Sequence, residues 1–102
     1  MSTLTDIQNY QREAEAERGF ADQDIIQTCL TLGEEVGELF KAVRLHQGMR
    51  VDVNCKEFSV ENELADVLTM LCAVANRLNI NLEEAFHAKE AFNKTRKWKL
   101  GK

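Results

Sequence analysis

The sequence contains no proline, so long helices are interrupted only by its five glycines and by polar clusters. It also has no apolar run near the ~20 residues that a membrane-spanning helix needs, and we expect no membrane partner. Residues 1–10 are polar and lack the basic and then apolar order of a signal peptide. These absences predict a protein of the cytoplasm.

Cysteine is scarce and odd in number. Cys29, Cys55 and Cys72 lie far apart and form no CxxC pair, which argues against a disulfide framework and against a thiolate zinc site. We therefore expect Cys29 and Cys72 to be small residues of the core.

An excess of positive charge is missing as well. The formal net charge of -4 argues against a general nucleic-acid binder, because affinity for duplexes comes largely from Lys and Arg, and we expect no stable nucleic-acid partner. The charge is uneven, however, since the chain after Lys89 is basic with Glu90 as its one acidic residue. A basic end can meet a nucleic acid or the phosphates of one small ligand.

Hydrophobic periodicity predicts an all-α fold, a four-helix bundle formed by residues 1–102 as a single domain. The expected helices run from about Thr5 to Arg18, from Asp22 or Asp24 to His46, from about Val60 to Leu78 and from Leu82 to about Trp98. Residues 48–56 show no sustained period and are predicted to be a loop. A chain of 102 residues buries a small share of its surface, so self-association is expected to help it.

Caps and stops support these boundaries. Thr3 or Thr5 is a plausible cap for the first helix and Gly19 a plausible stop. Ser59 precedes the third helix, and Asn81, with a glutamate three residues later, resembles a loose capping box before the fourth.

An acidic pair interrupts the apolar stripe of the third helix. At ~100° per residue, Glu63 projects between Met70 and Val74, in the middle of the apolar arc. Asp66 follows one turn later at the edge of the same arc. A carboxylate on a core face needs a partner, because burial of an unpaired charge is costly.

The second helix carries a similar pair, Glu35 and Glu38, on the border of its apolar face. Four carboxylates that face inward would repel one another, and their pKa values would rise unless a positive charge joined them. A hard divalent cation supplies that charge, and an all-oxygen ligand set suits Mg²⁺ or Mn²⁺. Mg²⁺ favours phosphate oxygens as its remaining ligands, which implies a phosphorylated substrate.

The simpler alternative is a solvated face. Glu34, Glu35 and Glu38 could pair along the helix with Lys41 and Arg44 and bind no metal. The position of Glu63 on the core arc fits this alternative less well.

The last predicted helix presents Lys89, Asn93 and Arg96 within about 60° of one another, on a face shared with Ala85 and Phe86. Two cations and an amide on one face suit a polyphosphate. The alternative is a solvent-facing basic end that complements the helix dipole.

Together these motifs resemble a known family. Residues 34–38 (EEVGE), followed after 24 intervening residues by residues 63–66 (ELAD), resemble the EExxE and ExxD signature of the MazG-like all-alpha nucleotide pyrophosphohydrolases. The basic, amide-containing last helix is similar too, and residues 17–20 (ERGF) are similar to the end of the first helix in the deoxycytidine-triphosphatase branch. The resemblance covers nearly the whole chain.

The resemblance implies a hydrolase of phosphoric anhydrides. Water would attack a nucleoside or deoxynucleoside triphosphate at its alpha phosphorus and release the monophosphate and pyrophosphate, as a house-cleaning activity on the nucleotide pool. Mg²⁺, with Mn²⁺ as a possible substitute, would be the cofactor. By position, its ligands would be Glu35, Glu38, Glu63 and Asp66, while Glu34 would be a further ligand or the base that orients the attacking water.

The resemblance also assigns residues to the substrate and implies a homodimer or a homotetramer of paired dimers, with active sites between subunits. Lys89, Asn93 and Arg96 would hold the phosphates. Gln11 and Phe20 are candidates for the base pocket, although Phe20 could instead be a hydrophobic staple or a core contact.

Three alternatives remain open at this stage. The first is phosphoribosyl-ATP pyrophosphohydrolase, whose fold resembles the predicted one and which cuts the same type of bond. A di-iron carboxylate bundle needs two ExxH pairs, and only Glu84 with His87 forms one, because Val43 lies three residues before His46. The third is a helical interaction module without enzymatic activity.

Overall fold

The computed structural model describes residues 2–49 and 59–101, and within these ranges the chain forms four α-helices and no strand. The helices are α1 (Leu4–Arg18), α2 (Ile25–His46), α3 (Val60–Arg77) and α4 (Leu82–Thr95). The all-α, four-helix prediction is confirmed. Most of the predicted loop at 48–56, including Cys55, lies outside the described residues.

Each helix begins at a side chain that accepts a hydrogen bond from a backbone amide in the first turn. These N-caps are Thr3, Asp24, Ser59 and Asn81. Asp24 forms a complete capping box: it accepts from the Gln27 amide at 2.8 Å, and the Gln27 side chain accepts from the Asp24 amide at 3.0 Å. The predicted starts of α1, α3 and α4 are therefore confirmed to within one residue, and α2 begins directly after Asp24, one of its two predicted starts.

Helix α1 ends at Gly19, as predicted, with a left-handed backbone (φ 82°) that favours glycine. Helix α4 ends at Thr95, before the predicted end at Trp98, and Arg96 is extended. The Thr95 hydroxyl donates to the Phe92 carbonyl at 2.6 Å, and the amide of Arg96 donates to the Asn93 carbonyl at 3.1 Å. Arg96 therefore does not continue the helical face that carries Lys89 and Asn93.

The core is built from small side chains. Helix α3 packs against both α2 and α1, and α4 contacts α1. The buried apolar residues among those described are Ala14, Ala42, Cys72, Ala73 and Ala75. The core position of Cys72 is confirmed, but that of Cys29 is wrong: its side chain is exposed, on a face of α2 that the rest of the described chain does not cover.

A buried amide attaches α1 to the turn between α3 and α4. Gln8 donates to the Asn76 side chain at 3.0 Å and to the Ile80 carbonyl at 2.9 Å. The amide of Leu82, at the start of α4, donates to Gln8 Oε1 at 2.6 Å. This network fixes the direction in which α4 leaves α3.

Among the described helices, none combines the length and the apolar character that crossing a membrane requires.

Candidate metal centre and adjoining cavity

The packing of α2 against α3 brings acidic side chains of both helices together. One carboxylate oxygen from each of Glu35, Glu63 and Asp66 lies within 4.8 Å of the other two. Helix α3 supplies Glu63 and Asp66, which are three residues apart, and the facing turn of α2 supplies Glu35. The helical spacing predicts one acidic pair on each helix, Glu35 with Glu38 and Glu63 with Asp66, and three of these four residues meet here.

Glu38 lies next to this group without joining it. Its Oε2 atom is buried and has no hydrogen-bond partner among the described residues. Its charge nevertheless acts on both Glu35 and Glu63. A buried carboxylate oxygen without a partner is costly, and a cation nearby would satisfy it.

The surroundings raise the pKa of two of these carboxyl groups. For Glu35 the main cause is burial, followed by the charges of Asp66, Glu63, Glu38 and, least, Glu34. Partial burial comes first for Glu63 as well, followed by the charges of Asp66 and Glu38. Every cause of the two pKa shifts is either burial or the negative charge of a neighbouring carboxylate.

The donor set fits a hard divalent cation. All three grouped side chains are carboxylates, and Mg²⁺ and Mn²⁺ prefer oxygen ligands of this kind. Glu38 could approach as a fourth ligand from the adjacent turn. Glu34 is exposed and is not one of the three grouped residues, although its charge acts on Glu35.

A cavity of about 470 Å³ opens beside the acidic group, between α1, the α1–α2 turn, α2 and α3. Its size lies within the range of about 300–1,000 Å³ that is typical of small-molecule sites. Its lining includes the apolar side chains of Tyr10, Phe20 and Met70, the Gln11 amide, and the carboxylates Glu35 and Asp66. The cavity thus combines apolar side chains with two carboxylates of the acidic group, and Glu15 and Arg18 line it as well.

Both candidates for base recognition line this cavity. Gln11 is buried, at 8% exposure, and Phe20 is half-exposed, at 49%. The exposure of Phe20 does not match the alternative of a core contact. Sequence reasoning missed Tyr10 and Met70, although Tyr10 precedes Gln11 and Met70 lies one helical turn after Asp66.

The basic candidates lie elsewhere in the single chain. Lys89 and Asn93 line a separate groove of about 460 Å³ between α4, α1 and Leu68 of α3. The buried Asn93 Oδ1 has no hydrogen-bond partner within the described ranges, and the Arg96 guanidinium stacks over the Trp98 ring at 4.1 Å. None of the three lines the cavity beside the acidic group. Their role in phosphate binding stays a prediction.

The ExxH pair considered for a di-iron site is exposed on α4, at Glu84 and His87. In residues 2–49 and 59–101, the one group of three potential metal ligands is Glu35, Glu63 and Asp66. The described residues thus offer carboxylate ligands without histidine.

Comparison with known families matches residues 23–98 to the MazG nucleotide pyrophosphohydrolase domain. The fold is similar to two crystal structures of iMazG from Vibrio DAT 722. Ntag-iMazG matches with a TM-score of 0.69 and 28% identity over 96% of this chain and 100% of that chain. Ctag-iMazG matches with a TM-score of 0.67 and 32% identity over 92% and 100%. Comparison with curated proteins gives no match.

Proposed function

Because the chain belongs to the MazG nucleotide pyrophosphohydrolase family, we propose that it hydrolyses nucleoside and deoxynucleoside triphosphates to the monophosphate and pyrophosphate, with Mg²⁺ as cofactor. One observation carries the proposal: three carboxylates within 4.8 Å of one another adjoin a cavity of nucleoside size. A house-cleaning role in the nucleotide pool is the physiological part of the proposal.

Glu35, Glu63 and Asp66, with Glu38, would hold the cation. When bound, Mg²⁺, or Mn²⁺ as a substitute, would neutralise phosphate charge and make a coordinated water more acidic. The protein's own contribution is a fixed set of carboxylates on two packed helices, which orients the triphosphate relative to the cavity. Glu34, on the exposed side, is proposed as a further ligand or as the base that orients the attacking water.

The cavity would hold the nucleoside. Tyr10 and Phe20 offer flat apolar surfaces against which a base can stack. The Gln11 amide carries a donor and an acceptor at a buried position, which suits recognition of a base edge. The alpha phosphorus would then lie toward Glu35 and Asp66, on the acidic side of the cavity.

The phosphate-binding part of the proposal requires association. Lys89, Asn93 and Arg96 lie outside this cavity in the single chain. We propose that a homodimer, or a homotetramer of paired dimers, brings the basic residues of one subunit to the acidic group of another. Opposite charges on the two surfaces favour such a pairing.

The test is pyrophosphate release from a panel of canonical and deoxy nucleoside triphosphates and phosphoribosyl-ATP, with Mg²⁺ and with chelator. Glu63→Gln should lower turnover by on the order of 10²-fold or more, because it removes preorganised charge from the site. Glu61→Gln, an exposed position on the same helix outside the group, is the matched control.

Turnover that survives both the chelator and Glu63→Gln would refute the carboxylate–metal proposal. Turnover restricted to phosphoribosyl-ATP would make that compound the substrate in place of the nucleoside triphosphates. No turnover on any compound would favour a helical interaction module.

A further inference from the structure

We propose that Arg77 is a positioning residue that holds the nucleoside side of the cavity in place, an inference that rests on the function proposed above. Arg77 is on the last turn of α3 and does not line the cavity. It acts through Glu15, on α1, and through the α1–α2 turn, residues 19–24. None of the hydrogen bonds of Arg77 goes to Glu35, Glu63 or Asp66.

The guanidinium of Arg77 is fully engaged. Its Nε donates to the Gln23 carbonyl at 2.8 Å, and Nη2 donates to the Phe20 carbonyl at 3.0 Å. Nη1 and Nη2 donate to the two Glu15 oxygens at 3.1 and 2.6 Å, and Nη1 also donates to the Ala73 carbonyl at 3.1 Å. A guanidinium has five N–H donors, and these five bonds account for all of them.

Three of these partners line the cavity, namely Glu15, Phe20 and Gln23. The ion pair is shielded from solvent, with side-chain exposures of 13% for Arg77 and 9% for Glu15. Charge-assisted bonds in such surroundings are strong and directional. Arg77 therefore links α3, α1 and the turn that carries Phe20.

Lysine cannot reproduce this arrangement. Its ammonium carries three donors on one atom, whereas the planar guanidinium reaches Glu15 and both turn carbonyls from separate nitrogens. Arg77→Lys would keep a positive charge beside Glu15 and would release at least one of the carbonyls of Phe20 and Gln23. The turn would lose its fixed position while the helices remain packed.

The kinetic test uses the full-length Arg77→Lys protein. We expect KM for its preferred triphosphate to rise about tenfold, because small displacements of a binding wall weaken substrate positioning. The value of kcat at saturation and the Mg²⁺ requirement should stay near those of the wild type. The preference of the enzyme for one base over the others should weaken, since the displaced wall carries Phe20.

The matched control is Arg12→Lys. Arg12 is an arginine of α1 that bonds Asn9 at 3.3 Å and Asn76 at 3.1 Å, and it does not line the cavity beside the acidic group. Its replacement should leave KM and base selectivity unchanged. Circular dichroism on both variants checks that the helices are retained.

Hydrogen exchange supplies a readout that does not depend on catalysis. In Arg77→Lys, the amides of residues 20–24 should exchange faster than in the wild type, while those in the middle of α2 and α3 keep their protection. An Arg77→Lys protein in which these amides keep the protection of the wild type would overturn the inference, because the guanidinium would then have only a charge role.

The outcomes separate the two proposals. A wild-type enzyme that hydrolyses triphosphates, beside an Arg77→Lys variant with normal KM or a loss confined to kcat, overturns the inference and leaves the proposed function standing. A wild-type protein that hydrolyses no nucleotide overturns both.

Discussion

The carboxyl group of Glu35 combines partial burial with four acidic neighbours, and both features raise its pKa. The pKa of Glu63 is raised by the same kinds of cause. Without a bound cation, burial and mutual repulsion of these carboxylates lower the stability of the folded protein. The carboxylates thus connect the chemistry of the site to the stability of the metal-free protein.

This connection predicts a pH dependence. A carboxyl group with a raised folded-state pKa binds its proton more tightly when folded than when unfolded, so stability falls as pH rises from about 4.5 through the raised pKa. In chelator and low salt, the unfolding temperature should therefore fall over this range. For Glu35, contact with solvent keeps the effect below about 1 kcal/mol. Glu35→Gln should show a smaller fall, and Mg²⁺ should restore stability at neutral pH.

Thermal unfolding of the wild type and Glu35→Gln across this pH range checks the prediction. Identical pH profiles for the two proteins would contradict the assignment of a strained carboxylate at this position.

The sequence predicts the positions of some residues better than those of others. Glu63 was predictable because one helix wheel places it among apolar neighbours. Tyr10 was not, because the cavity that it lines arises only when α1, α2 and α3 meet. Cys29 was misplaced because the apolar period of α2 does not say which of its faces the rest of the chain covers.

At the scale of the elements, local hydrogen bonds decide where each helix begins and ends. All four N-caps are residues whose side chains suit the role. Three of the four were identified as cap candidates from the sequence. The end of α4 at Thr95 was not foreseen, because no glycine or proline between Leu82 and Trp98 marks it in the sequence. Capping residues can be identified from sequence, whereas a helix end without such a residue is visible only in the structure.

The cap of α2 gives a prediction at this scale. Asp24→Ala removes the side chain that accepts from the Gln27 amide and should lower the free energy of unfolding by about 1 kcal/mol. Asp22→Ala is the control, because Asp22 is exposed and lies before the cap. Urea denaturation of both variants measures the difference. Equal losses would show that the effect comes from charge near the helix start and not from the cap.

At the scale of the whole molecule, the exposed apolar residues are larger than the buried ones. Helix α2 carries a stripe of alternating four- and three-residue spacing that no described part of the chain covers: Ile26, Leu30, Gly33, Gly37 and Phe40. This spacing is typical of helix pairs that pack along one another. The fold of one chain could be predicted from periodicity, but its surfaces for other chains could not, because periodicity does not distinguish a core face from an interface.

We expect the α2 stripe to take part in self-association. Leu30→Glu places a charge at a position that is 66% exposed in the single chain, so it should cost little in a monomer and should dissociate an oligomer that uses this face. Leu100→Glu, near the chain end and 86% exposed, is the control. Sedimentation measures the mass of each protein. A monomeric wild type, or a Leu30→Glu protein with unchanged mass, would contradict this assignment.

The position of the water attack tests the central claim most directly. The wild-type protein is incubated with its preferred triphosphate and Mg²⁺ in ¹⁸O-labelled water, and the products are analysed by mass spectrometry. A cation held by Glu35, Glu63 and Asp66 beside the nucleoside cavity predicts the label in the monophosphate, because water attacks the alpha phosphorus. Label in pyrophosphate or orthophosphate, or equal labelling in chelator, would contradict the account.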